Sequence, residues 1–370
     1  MEDVMNIDKE DWRRLATYRG LAALLVAFGH MVQIFVYPVS TWQASYSGLL
    51  SQSAVMMFFV VSGCSIAASA HRVIGEPRPV LMYALNRMGQ ILPPFVFAVV
   101  LMWLCGVLAP YVFASGSHMF LPHPRVVREG FLFDWGEVMG ALAFFNGFFS
   151  ITPLSNGPLW SLSFEVWLYI VFFCFFLALK RLQWGLMLVS MAVYLILVQY
   201  DNSGSSLLFL KYSLVWFSGV LLFFALLRRQ ALFGENAAWL RSVGALVLCF
   251  LVVLAAYFGW RFVATDMVYD ITRFNMSFGF AFSVYLLLFR PAMSRAVQAV
   301  FRPASRFGYT LYLIHFPLYL LAYGIFQPHM LDSQSVSWLV GLSAMTFSIF
   351  LAYFAAKFVE RRELFIGRAA

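Results

Sequence analysis

The stretch FLFDWGEVMGALAFFNGFFS, Phe131–Ser150, has the twenty residues a helix needs to cross a bilayer, yet it carries Asp134, Glu137 and Asn146. Whether it crosses decides on which side every later loop lies. The rest of the chain sets the context. Apolar residues make up 62% of its 370 positions and charged residues 11%, against roughly 45–50% and 25% in soluble domains. Other apolar runs of membrane-spanning length lie near 15–37, 50–70, 91–113, 158–179, 184–200, 207–227, 242–260, 274–289, 307–326 and 337–358. Charge then arbitrates the eleventh candidate. If 131–150 does not cross and the N-terminus is cytoplasmic, 20 of the 25 Lys and Arg fall on the cytoplasmic side, as the positive-inside rule requires. If it crosses, the basic clusters after it face outward.

The sequence therefore predicts an all-α polytopic membrane protein of about ten transmembrane helices. Both termini are cytoplasmic, and an outer-face re-entrant or interfacial helix lies near 131–150. Residues 1–14 form a cytoplasmic N-terminal segment, 15–358 a single membrane domain with an outer-face segment at 114–157, and 359–370 a cytoplasmic tail. The net charge of +8 is spread over cytoplasmic loops in twos to fours, so topology accounts for it and no nucleic-acid partner is indicated. The first apolar run is too long for a signal-peptide core and lacks a small-residue cleavage site, so it stays as an uncleaved span. Cys64, Cys105, Cys174 and Cys249 lie far apart within apolar runs, without metal-ligand spacing, and read as small core residues. Neither a metal site nor a disulfide is expected.

Two ionisable groups stand out inside the spans. In RGLAALLVAFGH, Arg19–His30, eleven residues of helix advance about 16 Å and leave both side chains within about 20° of one face. Arg19 lies near the cytoplasmic end, where it either snorkels as an anchor or binds an anion. His30 lies in the outer half of the hydrocarbon, either satisfied by a neighbouring carbonyl or serving as a general base. Glu165, in NGPLWSLSFEVWLYI, is the one acidic residue well inside any of the ten runs. Its span enters from the outer face, and counting inward puts Glu165 level with His30. A carboxylate there is expected to orient the imidazole and stabilise its protonated form, or else to serve only helix packing.

The blocks YRGLAALLVAFGH, MMFFVVSGCSIAAS, NRMGQILPPF, PLWSLSFEVWLYI, WFSGVLLF, FGYTLYLIHFPL and KFVERREL occur in the order and spacing of the acyltransferase-3 family of integral membrane O-acyltransferases. The chain resembles that family from near residue 13 to near 363. The resemblance implies an enzyme that moves an acyl group, usually acetyl, from cytoplasmic acyl-CoA to a hydroxyl, with acyl-CoA as co-substrate and no bound cofactor. Acceptors in such families are typically exported or lipid-linked glycans, and sometimes small molecules such as macrolides. The implied setting is a bacterial cytoplasmic (inner) membrane.

Residue by residue, the family's arginine, ten residues, histidine motif falls on Arg19 and His30, which implies donor binding for the first and transfer for the second. Held along one helix face, the donor would lay its phosphates at Arg19 and its thioester near His30, with Glu165 on the imidazole's other nitrogen. Arg87 matches the first of two family arginines, and Gln90 replaces the second, which removes a charge that would offset a phosphate. Ser62 and Gly63 either pass the donor arm or allow close helix packing. Trp160, Ser161 and Ser163 are the candidates to line the acceptor mouth, Trp160 being equally suited to an interfacial belt. His315, with Tyr309 and Tyr312 nearby, is expected in a structural polar network, because its depth differs from that of His30. Glu360, Arg361 and Arg362 read as juxtamembrane surface charge. A transporter or flippase of glycan precursors would also have ten spans, but the inverted symmetry of such folds is missing.

Overall fold

The computed structural model describes residues 7–40, 42–126, 128–202, 207–232, 238–265, 267–289 and 293–360. The first six residues of the expected N-terminal segment and 361–370 of the expected tail, with Arg361 and Arg362, lie outside the described residues. The helices are α1 Lys9–Met31, which runs on into a π-helical turn Val32–Val36, then α2 Trp42–Val73, α3 Pro79–Val112 and α4 Trp135–Leu142. A 3-10 turn Leu154–Asn156 precedes α5 Leu159–Arg181, α6 Trp184–Gln199, α7 Leu208–Leu227 and α8 Arg229–Leu232. The chain continues through α9 Ala238–Thr265, α10 Val268–Leu288, α11 Arg295–Ala304, α12 Gly308–Met330 and α13 Gln334–Val359.

Among the described residues, nine helices are long and apolar enough to cross a bilayer: α1, α2, α3, α5, α7, α9, α10, α12 and α13. The expected span at 184–200 is the shorter α6; its 16 residues extend about 24 Å, less than the ~30 Å hydrocarbon core. The contested stretch 131–150 does not cross. Only Trp135–Leu142 is helical, with the Asp134 carboxylate accepting from the Glu137 N–H at 2.8 Å as its N-cap. Phe144 (φ 57°) and Gly147 (φ 81°) then turn the chain out of helical conformation. Asp134, one of the polar residues that argue against crossing, is thus the residue that starts the short helix. Hydropathy underestimates several spans. α3 begins at Pro79 rather than 91, so Arg87 and Gln90 stand on a helix and not in a loop, and α11 forms within the basic stretch after α10.

The described residues group into two compact units. The first unit takes its residues from Met1–Arg19, Val55–Tyr83 and Phe164–Arg302. Here α2 and α7 cross at reciprocal glycines. A Cβ on Gly63 would overlap the Trp216 carbonyl, and one on Gly219 the Val60 carbonyl. Small residues let the two backbones meet, which in a membrane supplies dispersion contact where no hydrophobic drive exists between helices. Polar pairs tie the other helices of this unit. Asn275 donates to the Tyr212 hydroxyl at 2.6 Å, and Ser218 pairs with Ser283 at 2.6 Å. At the α9–α10 connection the fully buried Asp270 takes Arg261 at 3.2 Å.

The second unit takes its residues from Gly20–Ala54, Ala84–Ser163 and Pro303–Ala370. Its spine is α12, whose buried residues, Leu311, Leu313, His315, Tyr319 and Tyr323 among them, occupy every face. Two prolines within it have consequences for the segment 114–157. Pro317 has no N–H to give the Leu313 carbonyl four residues back, and that carbonyl accepts instead from Asn156 Nδ2 at 2.9 Å. Pro328 frees the Gly324 carbonyl in the same way, and Ala114 N–H donates to it at 3.2 Å. Between these points the Gln327 amide pairs with both backbone groups of Leu121 at 2.7 Å each. At the start of α12, Glu360 Oε1 accepts from Thr310 N–H at 2.9 Å and from its hydroxyl at 2.6 Å. Glu360, expected as surface charge, is a cap, placed where the helix dipole favours an anion.

Candidate active site

His30 is the penultimate residue of α1, just before the helix widens into the π turn, where Tyr37 N–H reaches the Val32 carbonyl at 2.9 Å. Such widened turns often coincide with functional positions. Gly29 beside it is bare because Ser51 of α2 occupies the space a side chain would need. The half-buried His30 ring has a partner: its Nδ1 lies 2.8 Å from Nε2 of His315. The two rings are 13° from parallel with centroids 5.1 Å apart. That separation matches the hydrogen bond plus the two ring radii, so the imidazoles meet edge to edge in one plane.

His315 Nδ1 lies 2.9 Å from the Leu311 carbonyl on its own helix. A carbonyl only accepts, so His315 Nδ1 is assigned the hydrogen, and a neutral His315 offers its lone pair at Nε2. His30 Nδ1 then donates to that lone pair. The second lone pair of the couple is left at His30 Nε2. A backbone carbonyl thus sets the tautomer of a histidine on another helix, with His315 as the link.

From sequence, His30 pairs with Glu165. In the structure the hydrogen-bond partners of Glu165 are Tyr169, one helical turn on, and Ser62 at 3.2 Å. Ser62 also pairs with Tyr169 at 2.8 Å and accepts from Trp216 Nε1 at 3.3 Å. For His315, a different expected depth hid its direct bond to His30. Gly63 is a packing position against α7, the second of the two uses expected for it.

The expected acceptor-mouth serines are engaged internally. Ser161 pairs with the Tyr312 hydroxyl at 2.6 Å, and Ser163 donates to Asn146 Oδ1 at 3.0 Å. Tyr312 in turn donates to the Pro158 carbonyl at 2.6 Å. Both serines therefore fix the entry to α5. Trp160, on the first turn of α5, is half-buried. Tyr309 donates to the Ile91 carbonyl at 3.4 Å; the tyrosines beside His315 are Tyr319 and Tyr312, with ring centroids 5.5 and 6.1 Å away. Arg87 is half-buried on α3.

One residue at this site carried no specific signal in the sequence. Arg128, from the 114–157 segment, stacks its guanidinium over the Phe316 ring at 5.8 Å. Phe316 meets His30 edge-on, with centroids 5.4 Å apart and planes at 87°. Arg128 Nε donates to the Leu154 carbonyl at 3.4 Å. Burial pushes the guanidinium's pKa below its ordinary value.

The fold and the site define a class: a polytopic helical membrane protein with a hydrogen-bonded pair of imidazoles on two of its helices. The profile of the acyltransferase-3 family, described as an acyltransferase domain, matches residues 14–357, nearly the whole chain. The chain belongs to that family and is an integral membrane acyltransferase. No curated protein and no solved structure matches it.

Proposed function

We propose that the protein transfers an acyl group, acetyl in the first instance, from cytoplasmic acyl-CoA to a hydroxyl of an extracytoplasmic or lipid-linked glycan, in a bacterial cytoplasmic membrane. The observation that carries this reading is the directed hydrogen-bond chain ending at His30 Nε2 in a member of an acyltransferase family. Nε2 takes the proton of the acceptor hydroxyl as its oxygen attacks the thioester carbonyl. The tetrahedral intermediate collapses, the C–S bond breaks, and the CoA thiolate recovers that proton from the imidazolium. His315 Nε2 accepts from Nδ1 throughout, which supports the positive charge on His30 in the way a triad's third member does.

Arg19, eleven residues earlier on α1, and Arg87 on α3 are the proposed contacts for the donor's phosphates.

Membranes containing wild type or His30→Ala, incubated with labelled acetyl-CoA and extracted glycans and lipids, test the reading. Label in the acceptor fraction is expected from wild type and a loss of at least ~10²-fold from the variant. Equal labelling by the two proteins would refute His30 as the base; absence of transfer by wild type to any glycan or lipid fraction would refute the acceptor class.

A further inference from the structure

We propose that α11 is an interfacial helix that seats its apolar face in the cytoplasmic leaflet and holds anionic phospholipid headgroups with its basic face. The proposal goes beyond the transfer reaction and does not depend on it. The stretch 290–306 contains Arg290, Arg295, Arg302 and Arg306 and no acidic residue. A loop that only marks the cytoplasmic side needs charge and no pattern. Here Arg295–Ala304 is a helix, and its side chains are sorted. At 100° per residue, Val297, Val300 and Phe301 share about 100° of arc, while Arg295, Gln298 and Arg302 share about 60° on another side.

Packing among the described residues does not use the apolar face in full. Val300 is 62% exposed and Val297 38%, and Arg295 and Arg302 are exposed too. The helix is attached by its polar side instead. Gln298 Nε2 donates to Glu10 Oε1 of α1 at 3.3 Å and to the Met293 carbonyl at 3.2 Å. That attachment sets the roll of the helix, with Val297 and Val300 about 100° and 160° around it from Gln298. What those two valines meet follows from connectivity. α10 ends at Leu288 and α12 begins at Gly308, and both are spans. Only 289–294 and 305–307 join α11 to them, and the three residues of the second link extend at most about 11 Å. The helix is therefore kept at the membrane surface, at the end of the bundle that the positive-inside rule assigns to the cytoplasm. An apolar face left open at that level meets acyl chains, and a basic face beside it meets phosphates. The cytoplasmic leaflet is also the one rich in anionic lipid, which complements a stretch with four arginines and no acid.

The test uses the full-length chain in nanodiscs, with the four native cysteines replaced by serine and one environment-sensitive fluorophore attached through Val300→Cys or Arg295→Cys. Both positions are exposed, so each cysteine replaces a side chain outside the core. The nanodiscs contain phosphatidylcholine alone or with phosphatidylglycerol, and lipid brominated near the headgroup end of its chains serves as quencher. In phosphatidylglycerol nanodiscs the label at position 300 is expected to be quenched by bromolipid and shielded from aqueous iodide, and the label at 295 to show the reverse. Omitting phosphatidylglycerol is expected to lower the bromolipid quenching at 300 by about twofold or more, and adding Arg295→Gln with Arg302→Gln to the Val300→Cys protein is expected to abolish that lipid dependence. Iodide access at 300 in phosphatidylglycerol nanodiscs would overturn the proposal, because α11 would then lie in water. Shielding of 300 from both quenchers would overturn it in favour of a protein cover, a second copy of the chain included. Equal bromolipid quenching of the two labels would remove the sidedness on which it rests. Quenching at 300 that ignores phosphatidylglycerol, or that depends on it equally with and without the two arginines, would refute the recognition of anionic headgroups.

Discussion

An imidazole in a medium of low dielectric has two neutral tautomers of similar energy, and only its neighbours choose between them. At His30 the choice is made by His315, and behind it by the Leu311 carbonyl. Replacing His315 by Gln keeps an acceptor for His30 Nδ1 in the amide oxygen, whereas Phe keeps the bulk and removes the acceptor. His315→Phe is therefore expected to lower kcat by about 10²-fold or more and His315→Gln by clearly less, with KM for acetyl-CoA similar in both; steady-state kinetics in nanodiscs reads the difference. His30 itself was legible, because a polar ring in a run of apolar residues has a cost that needs an account. Its partner was not. Helices longer than their hydropathic cores shift every depth counted from their ends, and α3 alone starts twelve residues ahead of its apolar run. Tyr169, by contrast, sits at the four-residue spacing from Glu165 that places two side chains on one face, a signal present in the sequence and passed over. Arg128 offered no such spacing, since a loop has no period to read.

Among the elements, α12 owes its role to what its prolines lack. Each missing N–H exposes a carbonyl inside the protein, where leaving it unpaired costs about 1–3 kcal/mol, and each exposed carbonyl collects a donor from the 114–157 segment. Asn156→Ala strands the Leu313 carbonyl and is expected to cost about 1–3 kcal/mol. In a Pro317→Ala background the helix can supply its own N–H to Leu313, so the same Asn156→Ala change should cost distinctly less. Thermal unfolding of the four proteins in one detergent measures that coupling; equal costs in both backgrounds would mean the Asn156 bond and the proline are unrelated. The prolines were plain in the sequence, and so was the polarity of 131–150. Which carbonyl meets which donor was not, because a freed carbonyl has no preference written in its neighbours until the fold brings one to it. The reversal of Glu360 from surface charge to helix cap has the same cause.

At the scale of the whole chain, charge and length carried the architecture. Non-crossing of 131–150 followed from the distribution of Lys and Arg, and the eight-residue α4 agrees with it. The sidedness drawn from the same charges leads to a direct experiment. In a background with Cys64, Cys105, Cys174 and Cys249 replaced by serine, Glu129→Cys is expected to react in intact cells with a membrane-impermeant maleimide, and Arg78→Cys only after permeabilisation. The opposite pattern would invert the topology. Synthesis adds a further dimension to the proline-freed carbonyls of α12. Ala114 and Asn156 leave the ribosome long before Leu313 and Gly324 do, so the segment 114–157 lacks these two anchors while the intervening helices insert. A nascent chain stalled before α12 would hold His30 without His315, and the proposed chemistry would switch on only with the penultimate helix, when α13 alone is still to insert.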